Sequence, residues 1–139
     1  MTDWLETIMG WGASYMKHRD LVACKIRDLK VGKDRIDVMN KDGSQELVLG
    51  LPDLSKLDPA SVKLPTIFIT MNKKENLKFL IDEWKKLSAV KEISIIFINP
   101  DSQLDTKWII RPFVHARVCD DKTLKQGLKS MFDTVDEIR

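Results

Sequence analysis

Residues 66–98 read TIFITMNKKENLKFLIDEWKKLSAVKEISIIFI, and their pattern changes twice. Thr66–Met71 is a continuous run of β-branched and large apolar residues, as is Ile93–Ile98. Runs apolar on both faces predict central strands covered from both sides. Between them Leu77, Leu80, Ile81, Trp84 and Leu87 recur at helical spacing. Asn72-Lys73-Lys74-Glu75 has the form of a capping box at the helix start. Strand, helix, strand at this length is a right-handed parallel crossover. The stretch therefore predicts an α/β domain built on two parallel strands.

The preceding residues add a meander. Val22, Cys24 and Ile26 alternate with other positions, as do Ile36 and Val38. Gly32-Lys33-Asp34 and Lys41-Asp42-Gly43 punctuate them, and Gly43 suits a left-handed turn position. Three antiparallel strands are expected at about 22–31, 35–40 and 44–49. Residues 50–65 contain three prolines, which exclude a central strand. Asp58-Pro59 there is suited to start one helical turn, Asp as cap and Pro at the first position. Ahead of the meander, Trp4, Ile8, Trp11 and Tyr15 share a helical face, as do Leu5, Met9, Gly12 and Met16. A first helix is expected at about 4–18, opened by a capping box of Asp3 and Glu6.

After residue 98, Asn99-Pro100-Asp101 ends the strand, and residues 107–119 read KWIIRPFVHARVC. Read as a strand over about 107–118, one alternating set is Trp108, Ile110, Val114, Ala116 and Val118. The other is Lys107, Arg111, Phe113, His115 and Arg117. Pro112 lacks a ladder donor and marks this strand as an edge or a bulge. Leu124, Leu128, Met131, Phe132, Val135 and Ile138 predict a last helix at about 121–137. The fold class is α/β: a single mixed β-sheet flanked by helices, order α-β-β-β-β-α-β-β-α, in one domain spanning 1–139.

Composition narrows the function classes. Of 139 residues, 43% are hydrophobic and 32% charged, which fits a folded soluble domain. No apolar run approaches membrane-spanning length. The start, MTDWLET, lacks the basic and apolar blocks of a signal peptide, so a cytoplasmic location is expected. Cys24 and Cys119 sit in apolar, strand-like contexts and read as buried free thiols. With His18 and His115 they lack metal-ligand spacing, so neither a metal nor another cofactor is expected. No serine lies in a G-x-S-x-G elbow, and neither a G-x-G-x-x-G nor a P-loop occurs. The residues supply no catalytic set, and the reading leans away from an enzyme.

In outline, the order of an N-terminal helix, a meander and a strand-helix-strand unit, with a Pro-Asp pair at Pro52-Asp53, resembles the core of the PD-(D/E)xK restriction-endonuclease-like superfamily over about residues 3–100. That resemblance implies a nuclease-like fold and contact with nucleic acid. The acid-x-Lys that carries metal-dependent cleavage is missing. The corresponding strand ends Ile69-Thr70-Met71-Asn72-Lys73, without a carboxylate until Glu75. Asp37, Asp53 and Asp58 are the remaining acids, and turn or cap roles suit them.

Basic clusters are what remains. The formal net charge is +2, too small to decide anything globally. Locally, Lys107, Arg111, Phe113, His115 and Arg117 combine cations with an aromatic, as phosphate contact plus base stacking would. The same composition suits a protein interface, and a solvated outer face is the simplest account of all. Lys122, Lys125 and Lys129 crowd the start of the last helix, opposite to what the helix dipole prefers. Either that cost is tolerated or an anion docks there, where Asp120 and Asp121 compete as caps. Lys74, Lys78 and Lys85 edge the second helix, where Asp82 and Glu83 neutralise much of the charge. Two functions are thus expected. One is a non-catalytic, nuclease-like nucleic-acid-binding protein. The alternative is a protein-interaction or homodimerisation module using the basic edge strand 107–118.

Overall fold

The computed structural model describes residues 4–102, 107–118 and 120–138. One mixed sheet of six strands runs in chain order: β1 (Ile26–Val31), β2 (Arg35–Asn40), β3 (Gln45–Gly50), β4 (Thr66–Met71), β5 (Ile93–Ile98) and β6 (Lys107–Ile110). The first three form the expected antiparallel meander, with Gly43 at φ 88° in its second turn. β3, β4 and β5 are parallel, and β6 returns antiparallel to β5. The excursion from β3 to β4 contains two 3₁₀ turns, Leu54–Lys56 and Pro59–Ser61. Asp53 and Asp58 cap these turns, and Pro59 holds the first helical position as expected.

Two helices, α2 (Lys74–Asp82) and α3 (Trp84–Ser88), join β4 to β5, with a break at Glu83. The chain closes with α4 (Pro112–Val118) and α5 (Asp121–Phe132). These four helices and the 3₁₀ turns cover one face of the sheet. The core there is built from Leu54, Phe68, Leu80, Phe97, Trp108 and Phe132 and their neighbours. The opposite face carries a single long helix, α1 (Trp4–Ala23), over Ile36, Val48, Ile67 and Ile69. All six side chains of β4 are buried, as its unbroken apolar run requires.

Glycine sets how closely α1 sits. A Cβ on Gly12 would come within 2.7 Å of Ile69 Cδ1, and one on Gly50 within 3.0 Å of Leu5 Cδ1. The helix axis therefore rests directly on β3 and β4.

Several expectations need correction. The first helix runs on to Ala23, so Val22 and Cys24 lie outside the sheet. Cys24 has φ 51° and is exposed, with its N–H on the Asp20 carbonyl. Alternation over three residues was too short to separate a strand from the end of a helix. Asn72 does not cap α2: Lys73 holds that position, without a side-chain bond. The last helix ends at Phe132; Val135 lies in the turn that closes it, its N–H on the Phe132 carbonyl, and Ile138 lies in the irregular chain beyond. Asp3 and Cys119 lie outside the described residues.

The largest correction concerns residues 107–118. Only Lys107–Ile110 is strand, and Pro112 starts a helix. A proline N–H is missing where a helix would leave it unbonded anyway, and its fixed φ is already helical. The residue taken as a flaw in a strand is instead a helix start.

Candidate nucleic-acid interface

The change at Pro112 disperses the expected cationic face. Phe113 and Arg117 lie one turn apart on α4, with the guanidinium 3.3 Å from the ring centroid. Arg117 Nη1 also donates to the Phe113 carbonyl. His115 Nδ1 lies 2.9 Å from the Arg111 carbonyl oxygen and 3.2 Å from its N–H. These three side chains are spent on their own helix and do not form one surface with Lys107.

The lysines of α5 divide as well. The Lys122 N–H donates to the capping carboxylate of Asp120, 3.0 Å away. Lys125 and Lys129 turn toward α2 and share a 420 Å³ groove with Lys74 and Lys78. Two lysine sets read separately in the sequence meet there. Acids meet them: Lys78 is 2.8 Å from Asp82 and Lys74 is 3.8 Å from Glu137. The bond from Asp82 raises the Lys78 ammonium above its usual range, so it is held charged and occupied.

Lys107 and Arg111 go elsewhere, to the α1 face. Five strand spacings make the sheet about 24 Å wide, whereas a helix with its side chains is about 10–12 Å across. One helix does not span the whole face. α1 packs over β1–β4 and leaves a hollow of about 550 Å³ beside β5 and β6, floored by Ser94, Ile96 and Ile109. Arg19, Lys63, Lys91 and Arg111 line it. Lys107 Nζ stands 5.5 Å from the ring of Tyr15, which lines the same hollow and stacks on Trp11 at 5.2 Å.

Topology explains this convergence. Parallel β4 and β5 begin side by side, Thr66 paired with Ile93. Lys63 lies three residues before the first and Lys91 two before the second. Antiparallel β6 ends at that same edge, Ile110 beside Ile95, so Arg111 arrives there too. Glu46 and Glu92 are the acids of the hollow. Glu46 accepts from Asn40 Nδ2 at 3.2 Å and is 4.0 Å from Arg19.

No family model, curated protein or solved structure matches this chain. The site must be judged on its own geometry.

The acids left over from the nuclease resemblance do not converge. Asp37 pairs with Arg35 at 2.7 Å on β2. Asp58 accepts the Ala60 N–H at 3.1 Å. Asp53 accepts the hydroxyl and the N–H of Ser55, which hold its carboxyl below the usual carboxylate range. Among the described residues no three of His, Cys, Asp and Glu are placed to share a metal ion, and no helix is long and apolar enough to cross a membrane.

Of the expected site, then, Lys107 and Arg111 stand together. Tyr15, Arg19, Lys63 and Lys91 were missed. Tyr15 read as core because it lies on the apolar face of its helix. A usable signal was present for the lysines: basic residues at nearly equal offsets ahead of two parallel strands must become neighbours.

Proposed function

We propose that this protein binds nucleic acid without cleaving it, through the hollow between α1 and β6. The observation that carries the reading is the convergence of Arg19, Lys63, Lys91 and Arg111, with Lys107 over Tyr15, around a hollow beside α1. Cations of this density draw a phosphate backbone, and the concave floor beside an aromatic receives a base. A base inside a duplex does not reach such a floor, so single strands are the favoured ligand. Of the two acids that line the hollow, Glu46 already accepts from Asn40 and stands 4.0 Å from Arg19, and among the described residues no third ligand joins them to hold a metal for cleavage.

The test is fluorescence anisotropy of labelled single- and double-stranded DNA and RNA at several salt concentrations. Single strands should bind more tightly than duplex. Contacts from four cations would give a slope of log K against log salt of about −3. Absence of binding to any of the four at low salt would remove the proposal.

A further inference from the structure

We propose that the hollow reads one base, guanine, and that Glu92 is the residue that selects it. This specificity rests on the single-strand binding proposed above.

Phosphate attraction does not account for every side chain of the hollow. Two acids, Glu46 and Glu92, stand among its cations. An acid beside a phosphate path weakens binding, so each has to serve some other end. Glu46 is already committed to Asn40 and Arg19. Glu92 is not: among the described residues no hydrogen bond or ion pair engages its carboxylate.

The sheet fixes where that carboxylate starts from. Glu92 immediately precedes β5, and its carbonyl accepts the Thr66 N–H at 2.9 Å. Its side chain is half-buried and lines the hollow. Ser94, paired with Ile67 of β4, comes two residues later and forms part of the floor. The Ser94 hydroxyl is likewise unengaged among the described residues. On extended chain the two Cα atoms are about 7 Å apart, close enough for one base to touch both side chains.

Donor and acceptor chemistry then names the base. An ionised carboxylate accepts through two oxygens and donates nothing. Its match is a pair of adjacent N–H donors. On the Watson–Crick edge guanine alone has them, at N1 and N2, with the O6 acceptor next in line. Adenine and cytosine place a ring-nitrogen acceptor beside their one amino group. Uracil and thymine flank a single N–H with two carbonyls. A carboxylate repels those acceptors. Guanine thus meets Glu92 with its two donors and the Ser94 hydroxyl with O6. A single strand leaves this edge free to be read.

The experiment is anisotropy of short all-thymine DNA strands carrying guanine, hypoxanthine, adenine or cytosine at one central position. The guanine strand should bind about tenfold or more tightly than the all-thymine strand, the scale of one good bidentate contact. Hypoxanthine lacks the N2 amino group and should lose most of that gain. Glu92→Gln should abolish the guanine preference yet bind the all-thymine strand at least as tightly, since a charge that repels phosphate is gone. Guanosine monophosphate should compete only at far higher concentration, because it brings a single phosphate to the cations. Equal binding of all the strands overturns the proposal and leaves single-strand binding standing, whereas binding of none overturns both. A guanine preference that survives Glu92→Gln, or that hypoxanthine keeps in full, also overturns it. So does competition by the monophosphate as strong as that of the strand, since the ligand would then be a free nucleotide. The hypoxanthine comparison uses the unaltered protein, so the test holds even if the variant folds poorly.

Discussion

Trp108 Nε1 donates to Asn72 Oδ1 across 2.8 Å in the interior, with both side chains almost wholly removed from solvent. The bond ties β6 to the end of β4. The Asn72 amide group donates in turn to the carbonyls of Phe132 and Val135, at 3.1 and 2.9 Å. Its backbone N–H meets the Ile98 carbonyl, and its own carbonyl accepts from Ile138. One asparagine thus joins β4, β5, β6 and the chain beyond α5. It occupies the end of the parallel strands where α/β proteins commonly place a ligand crevice. Here that end is filled by the chain itself, and the open hollow lies at the other.

Asn72→Leu should therefore be strongly destabilising. It leaves the buried Trp108 indole N–H and the Val135 carbonyl without the partners Asn72 gives them, each worth about 1–3 kcal/mol, while the Phe132 carbonyl keeps the Val135 N–H. A loss of about 3–4 kcal/mol is expected in urea unfolding. A loss below about 1 kcal/mol would mean that water reaches these groups and the junction is not the anchor described.

Gly10 and Gly12, two residues apart on α1, should respond with opposite signs. A Cβ at Gly10 meets nothing within 4 Å, whereas at Gly12 it strikes the buried Ile69 side chain. Gly10→Ala should stabilise by about 0.5–1 kcal/mol through helix propensity alone. Gly12→Val should lower stability by about 1–3 kcal/mol, since the helix must lift from the sheet. Thermal unfolding of both variants decides it, and a neutral Gly12→Val would show that α1 packs more loosely than its contacts imply.

What the sequence disclosed follows from how local each signal is. Continuous apolar runs at 66–71 and 93–98, with a helical period between, are long patterns, and they placed the parallel core correctly. The meander followed from turn residues. Short or ambiguous patterns failed. Residues 107–118 fit alternation only because Trp108 and Ile110 alternate in a strand while Val114 and Val118 recur one turn apart in a helix. Pro112 is compatible with either reading. Asn72 resembled a cap because its true partners, Trp108, Phe132 and Val135, lie far along the chain. The hollow was illegible for the same reason: Arg19, Lys63, Lys91 and Arg111 meet only once strand order is known.

Charge removal at the hollow should separate this surface from the cations of α4. Lys63→Ala, Lys91→Ala and Arg111→Ala should each flatten the salt dependence of single-strand binding by about 0.7 in slope, one phosphate contact apiece. Arg117→Ala should leave it unchanged, because that guanidinium already lies on Phe113 and on its carbonyl. Anisotropy titrations in a salt series give both results. An Arg117 effect as large as the others would move the binding surface to α4.

Acid should reveal the cap at Asp53. Ser55 holds this carboxyl below its ordinary value of 3.8 through the hydroxyl and N–H bonds, with Lys56 and Lys73 adding attraction. The unfolded chain has no such partners, so it takes up the proton first as pH falls. The contribution of Asp53 is thus complete above about pH 4 and is lost as pH drops through the lower folded value. At neutral pH, Asp53→Ala should cost about 0.5–1 kcal/mol, the scale of a lost helix cap. The difference between the two proteins in urea should shrink steadily below about pH 4. A gap that persists unchanged to about pH 2 would mean that the side chain stabilises the turn by packing rather than as an ionised acceptor.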